Sequence, residues 1–114
     1  MEIRKKGITA EGVRFSVEQN GKEVARARLY VMSNDLHKEP FGFVEDVFIA
    51  ESLRGKGYGS EIMKALITEA RQRGCYKLIA TSRDERTKVH EFYRKLGFKE
   101  YGKEFRLDIK KTLP

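Results

Sequence analysis

From Glu11 to Gln19 the apolar residues Val13, Phe15 and Val17 alternate with polar ones, the period of a half-buried strand. Asn20-Gly21 follows, a pair suited to the positive φ angles of a type I′ turn, so residues 22–33 are predicted to fold back as the second strand of a hairpin. One face of that strand carries Ala25, Ala27, Leu29 and Val31, and the other carries Arg26, Arg28, Tyr30 and Met32; the first is the predicted core face. Asn34 to Pro40 reads as a polar loop, and Gly42 to Ala50 as a third, central strand. Ile62, Met63, Leu66, Ile67 and Ala70 then fall at three- and four-residue spacing, which predicts an amphipathic helix capped at Gly74. Tyr76 to Thr81 is a short apolar strand, and a strand-helix-strand unit of this length implies a right-handed crossover with parallel pairing. Ser82-Arg-Asp-Glu85 has capping-box spacing, and Val89, Phe92, Tyr93 and Leu96 mark one face of a second helix ending at Gly97. Phe98–Tyr101 and Glu104–Ile109 are predicted to form a closing hairpin around Gly102-Lys103. The order of elements describes an α/β fold with a mixed sheet, without repeats or linkers.

Composition narrows the class. At 114 residues the chain fits one domain spanning residues 1–114, and 39% apolar with 36% charged residues marks it as globular. No run is long enough to cross a bilayer, and residues 1–6 lack the apolar core of a signal peptide, so the expectation is a cytoplasmic protein without a membrane partner. The formal charge of +7 attracts anions in general, but the basic residues are spread out, which argues against a dedicated nucleic-acid surface. A single cysteine, Cys75, excludes an internal disulfide and a multi-cysteine zinc site; its expected role is a small buried thiol. His37 and His90 stand alone and are read as solvent or packing residues, and no metal site is expected.

The segment Arg54-Gly55-Lys56-Gly57-Tyr58-Gly59-Ser60 joins the central strand to the first helix. Glycines there let the backbone turn sharply and bring its N–H groups close to a ligand. The first turn of a helix has unpaired donors with the positive end of the peptide dipoles behind them, so phosphate oxygens suit this place. Arg54 and Lys56 add fixed charge. The alternative is a glycine-rich turn with no ligand, and context has to decide.

Two segments supply that context. Val47-Phe-Ile-Ala-Glu-Ser-Leu-Arg-Gly-Lys-Gly-Tyr-Gly-Ser60 and Val89-His-Glu-Phe-Tyr-Arg-Lys-Leu-Gly-Phe98 resemble the strand-plus-glycine-loop and the helix end of the GNAT superfamily of N-acetyltransferases. The resemblance implies a mostly antiparallel mixed sheet with one splayed parallel strand pair and two main helices. It implies acetyl-coenzyme A as co-substrate, with the diphosphate on the N–H groups of Arg54, Gly55, Lys56, Gly57, Tyr58, Gly59 and Ser60. The pantetheine arm would lie along Val47, Phe48 and Ile49, bonded by the backbone of Val47 and Ile49, with the Ile49 N–H facing the reacting oxygen. Tyr93 matches the tyrosine that protonates the departing sulfur. Glu45 resembles the glutamate several members use as base, with Asp46 as its neighbour; strand alternation leaves only one of the two facing the amine. The implied reaction is acetyl transfer to a primary amine, on a small molecule or a protein, by direct attack in a ternary complex.

The chain also departs from the family. A first strand over Glu2 to Lys6 is separated from the next by Gly7 to Glu11 alone, leaving no room for the family's first two helices. The acceptor side is therefore expected to be open, or completed by a homodimer or another partner. Arg86 stands where relatives carry an asparagine that touches pantetheine; Arg83 or Arg86 is instead within reach of the cofactor phosphates, or belongs to a solvated helix start. Two other readings compete: a non-catalytic acyl-coenzyme A binding module, and a small basic nucleic-acid-binding domain.

Overall fold

Asn20 (φ 53°) and Gly21 (φ 76°) both sit in the left-handed region, which is what a two-residue type I′ turn demands. They join strands β1 (Glu11–Gln19) and β2 (Lys22–Met32), pairing Gln19 with Lys22 and Val13 with Leu29. This computed structural model describes residues 1–110. Strand β3 (Phe41–Ile49) runs antiparallel to β2, and β4 (Leu78–Ile79) runs parallel to β3, giving the sheet order β1-β2-β3-β4. Between β3 and β4 come a single 3-10 turn at Glu51–Leu53 and helix α1 (Tyr58–Gln72). The fold is thus a mixed sheet with antiparallel and parallel pairs, as the resemblance implied.

The core lies where α1 covers β2. Ala25, Ala27 and Leu29 on one face of β2 are buried with Val44 of β3 and with Ile62, Met63, Leu66 and Ala70 of α1. The two alanines let the helix lie close to the strand, and the predicted core face is the observed one apart from half-buried Val31. Burying Leu29, Met63 and Leu66 contributes about 1.5–3 kcal/mol each relative to exposure. Gly42 marks the tightest point: a Cβ there would lie 2.5 Å from Leu78 Cδ2 and 2.9 Å from Leu29 Cδ1. That close approach lets β3 pair with β4 over the core.

These elements belong to a unit spanning Met1–Ala80; the described residues from Thr81 to Lys110 belong to a second one. The second holds α2 (Thr87–Lys95), ended by Gly97 at φ 100°. Within it Tyr93 packs between Phe92 and Phe98, with ring centroids 5.6 Å and 5.3 Å away.

Four sequence expectations need correction. Residues 2–6 form no strand. The parallel strand expected over residues 76–81 is confined to Leu78–Ile79, because beyond Phe43 strand β3 has no partner on that side. The capping box fails, since α2 starts at Thr87 with Arg86 as N-cap and no side-chain cap bond. Ser82 lies four residues before the N-cap position it would have to fill. Residues 98–109 form no hairpin, and Tyr101, Phe105, Leu107 and Ile109 are exposed. Alternation makes a strand only where a neighbour supplies ladder bonds and cover for the apolar face, and that segment has neither.

Candidate active site

The glycine loop adopts the conformation its residues allow. Gly55 (φ 78°) and Gly57 (φ 89°) are left-handed, and a Cβ at either would meet no atom within 4 Å, so their faces are open. Gly57 is the N-cap of α1, and the first helical bond runs from the Glu61 N–H to the Gly57 carbonyl at 3.0 Å. The N–H groups of Gly57, Tyr58, Gly59 and Ser60 precede that bond and have no acceptor within the helix. The usual N-cap residue would use its own side-chain oxygen on one of them; glycine has none, and no side-chain cap bond forms. What results is a set of donors at the positive end of a fifteen-residue helix, flanked by exposed Lys56, an arrangement that fits a diphosphate. Gln19 Nε2 donates to the Tyr58 hydroxyl and ties the end of β1 to this helix start. Arg54 is used differently from expectation in one respect: its Nε donates to the Ile49 carbonyl at 3.2 Å, bracing the loop against the end of β3.

The strand leading to the loop is open along one edge. β3 and β4 pair only at Gly42/Leu78 and Phe43/Ile79, after which β3 continues to Ile49 without a neighbour on that side. The Ala50 N–H goes to the Val24 carbonyl, so by alternation Phe48 also faces β2 while Val47 and Ile49 face the open edge. An extended chain laid along that edge would meet their N–H and C=O groups, except that the Ile49 carbonyl already accepts from Arg54.

Glu45 and Asp46 do not point to opposite faces. Arg28 pairs with Glu45 and Arg26 with Phe48, so Ala27 alone faces both Asp46 and Val47 in a β-bulge, with Asp46 at φ 55°. Glu45 is exposed and its carboxylate makes no ion pair among the described residues. Asp46 is clamped: Arg26 Nε and Nη2 donate to its two oxygens at 2.8 and 3.2 Å, and Arg28 Nη1 donates as well. The hydrogen bond from Arg26, with the charges of Arg26 and Arg28, holds the Asp46 carboxyl below its usual range. Arg26 in turn stacks over the Phe48 ring, 4.6 Å from its centroid, and approaches Glu23, which binds Arg14. Sequence reasoning found the outward face of β2 but missed the bridge. The available signal was Asp46 itself, which unbroken alternation from buried Val44 would have put in the core.

In the second unit, burial pushes the Tyr93 phenol above its ordinary pKa, partly countered by the Arg86 guanidinium, so it is a proton donor at neutral pH. Arg86 is exposed, and its carbonyl accepts the Val89 and His90 N–H groups. His90 Nε2 lies 2.8 Å from the Arg83 carbonyl, tying the loop before α2 to the helix. In the first unit His37 stacks on Tyr76 with centroids 4.0 Å apart. Cys75 is half-buried and its thiol pKa is raised by that burial, the state of a packing thiol. No group of side chains suited to a metal ion occurs among the described residues, and no helix there is long and apolar enough to cross a membrane.

Comparison with known proteins agrees with this geometry. Residues 2–98 match the model of the Acetyltransferase (GNAT) family. Glucosamine 6-phosphate N-acetyltransferase of Trypanosoma brucei brucei is 40% identical over 68 residues, covering 60% of this chain and 44% of that protein. Thialysine N-epsilon-acetyltransferase of Bos taurus is 29% identical over 90 residues, 79% of this chain and 53% of that one. This chain thus spans about half the length of these two relatives. Among solved structures, a Trypanosoma brucei acetyltransferase superposes with a TM-score of 0.76 at 32% identity, covering 88% of this chain and 69% of that one. Glucosamine-6-phosphate N-acetyltransferase from Arabidopsis thaliana gives 0.79 at 26% identity, covering 87% and 67%. With the family model matching most of its length and the strand, glycine loop and helix in their places, the chain belongs to the GNAT family of acetyltransferases.

Proposed function

We propose that the protein transfers an acetyl group from acetyl-coenzyme A to a primary amine by direct attack in a ternary complex. The observation that carries this reading is the uncapped start of α1, with left-handed Gly57 ahead of it, at the end of a strand whose edge is free beyond Phe43. The donors from Gly57 to Ser60 would hold the diphosphate, with Arg54, Gly55 and Lys56 shaping and charging the approach. The open edge presented by Val47 and Ile49 would hold the pantetheine arm, whereas Phe48 between them, expected to join in, turns its backbone to β2; Arg86 is a candidate for the phosphates.

Bound acetyl-coenzyme A supplies an acyl carbon open to attack and a thiolate leaving group. The chain's own groups supply the proton movements. Glu45, exposed and unpaired among the described residues, removes the proton of the ammonium through water, since a protonated amine has no lone pair to attack with. The Ile49 N–H donates to the acetyl oxygen as negative charge develops on it. Tyr93 gives its phenolic proton to the departing sulfur. Asp46, already bonded to two guanidiniums, is a poor acceptor for a further proton and is not assigned the base.

For the acceptor, the relatives' names point to amines on small molecules. Glucosamine 6-phosphate and thialysine are the first compounds to assay. A free-thiol assay with acetyl-coenzyme A and a panel including these amines tests the reading. Amine-dependent thiol release supports it; tight coenzyme A binding with no release from any amine replaces it with a binding module.

A further inference from the structure

Strand β3 changes parity at Asp46. The Gly42 N–H bonds to the carbonyl of Lys77, the residue just before β4, so up to this point even-numbered residues turn their amides toward β4 and odd-numbered ones toward β2. Past the bulge the Ala50 N–H bonds to Val24 on β2, so the odd-numbered Val47 and Ile49 now face the free edge. Without the extra residue, the edge would present Asp46 and Phe48 instead. Side chains follow the same switch. Phe48 lies outward beneath Arg26, whereas an unbulged strand would turn it inward and turn Val47 and Ile49 out.

Such a switch needs something to hold it. A left-handed φ of 55° is sterically disfavoured for any residue with a Cβ, although aspartate is among the more tolerant. The carboxylate is gripped by Arg26 and Arg28, the two residues that flank Ala27, and Ala27 is the residue that the bulge faces. The unbulged alternative carries its own penalty: Asp46 would follow Val44 onto the face occupied by Ala25, Ala27 and Leu29, burying an ionised carboxylate away from any guanidinium.

We infer that Asp46, bridged to Arg26 and Arg28, is a positioning residue that fixes the bulge and so decides which backbone amides face the cofactor edge. This inference rests on the proposed acetyl transfer for its kinetic consequence, but its structural half is independent of activity.

Both halves are tested by Asp46→Ala, with Asp46→Asn, which keeps left-handed tolerance and one acceptor oxygen, as the partner variant should the first fail to fold. By NMR, the wild type should show cross-strand contacts of Arg26 with Phe48 and of Ala25 with Ile49; Asp46→Ala should weaken or replace them, and Asp46→Asn should retain them in part. Unchanged contacts in Asp46→Ala overturn the inference. In turnover, kcat/KM for acetyl-coenzyme A should fall at least about ten-fold in Asp46→Ala, as displaced binding groups cost, with partial recovery in Asp46→Asn. The acidic limb of the pH–rate profile should persist in both variants and disappear in Glu45→Gln. Loss of that limb in Asp46→Asn would make Asp46 the base and sink the positioning role. If wild type releases no thiol with any amine, the acetyl-transfer reading fails while the NMR comparison still decides the bulge.

Discussion

At Tyr93 the observed packing meets the chemistry proposed for it. Its ring fills the space between Phe92 and Phe98, and the same burial keeps the phenol protonated. Phenylalanine keeps the ring packing and removes the hydroxyl that carries the proton, so Tyr93→Phe should lower kcat about a hundred-fold, the low end for general acid catalysis, while the dissociation constant for coenzyme A changes little. Steady-state kinetics beside calorimetry checks this; equal rates in the two proteins would leave Tyr93 with packing alone. Asp46 makes a thermodynamic prediction. Its native pKa is depressed, so its bridge stabilises the fold above the unfolded carboxyl pKa of about 3.9 and is lost as pH falls through the native value. The side chain is 31% exposed, so solvent screens the pairs and the bridge is worth about 1 kcal/mol. Asp46→Asn should therefore be less stable than wild type in urea at pH 7, and the difference should shrink as the pH is lowered below about 4.

At the scale of elements, the candidate site arises from the way β3 stops and α1 starts. Gly57 is left-handed and its missing side chain leaves the first-turn donors uncovered. Gly57→Ala adds a Cβ into open space, so no clash arises, but the backbone is strained by about 1 kcal/mol and is drawn out of the conformation that aims the amides. Coenzyme A affinity should fall about ten-fold or more, with a stability loss near 1 kcal/mol, read by calorimetry and thermal melting. Equal affinity would remove the loop from the binding site. The hairpin β1–β2 was legible in advance because Asn20-Gly21 states its turn locally and the alternation on both sides agrees with it. Residues 98–109 alternate as well, yet form no strand, because nothing local can supply a ladder partner.

For the whole molecule, the formal charge of +7 acts at a distance on an anionic ligand. Raising salt from about 50 to about 500 mM should weaken coenzyme A binding several-fold, as the Debye length contracts to a few ångströms. A salt-independent dissociation constant would mean that the amides of the loop act without help from the surrounding lysines and arginines. The candidate groups are divided along the chain, with the glycine loop, Glu45 and Asp46 before Ala80 and Arg86 and Tyr93 after it. Sequence alone determined what is encoded in short range: the turn at Asn20-Gly21, the apolar face of α1, the glycine loop, and the motif residues that mark the family. Tertiary structure decided where strands find partners and which way β3 turns its amides. A bulge depends on the strand beside it, and neither Arg26 nor Arg28 is near Asp46 in sequence; only pairing β2 with β3 brings those charges together.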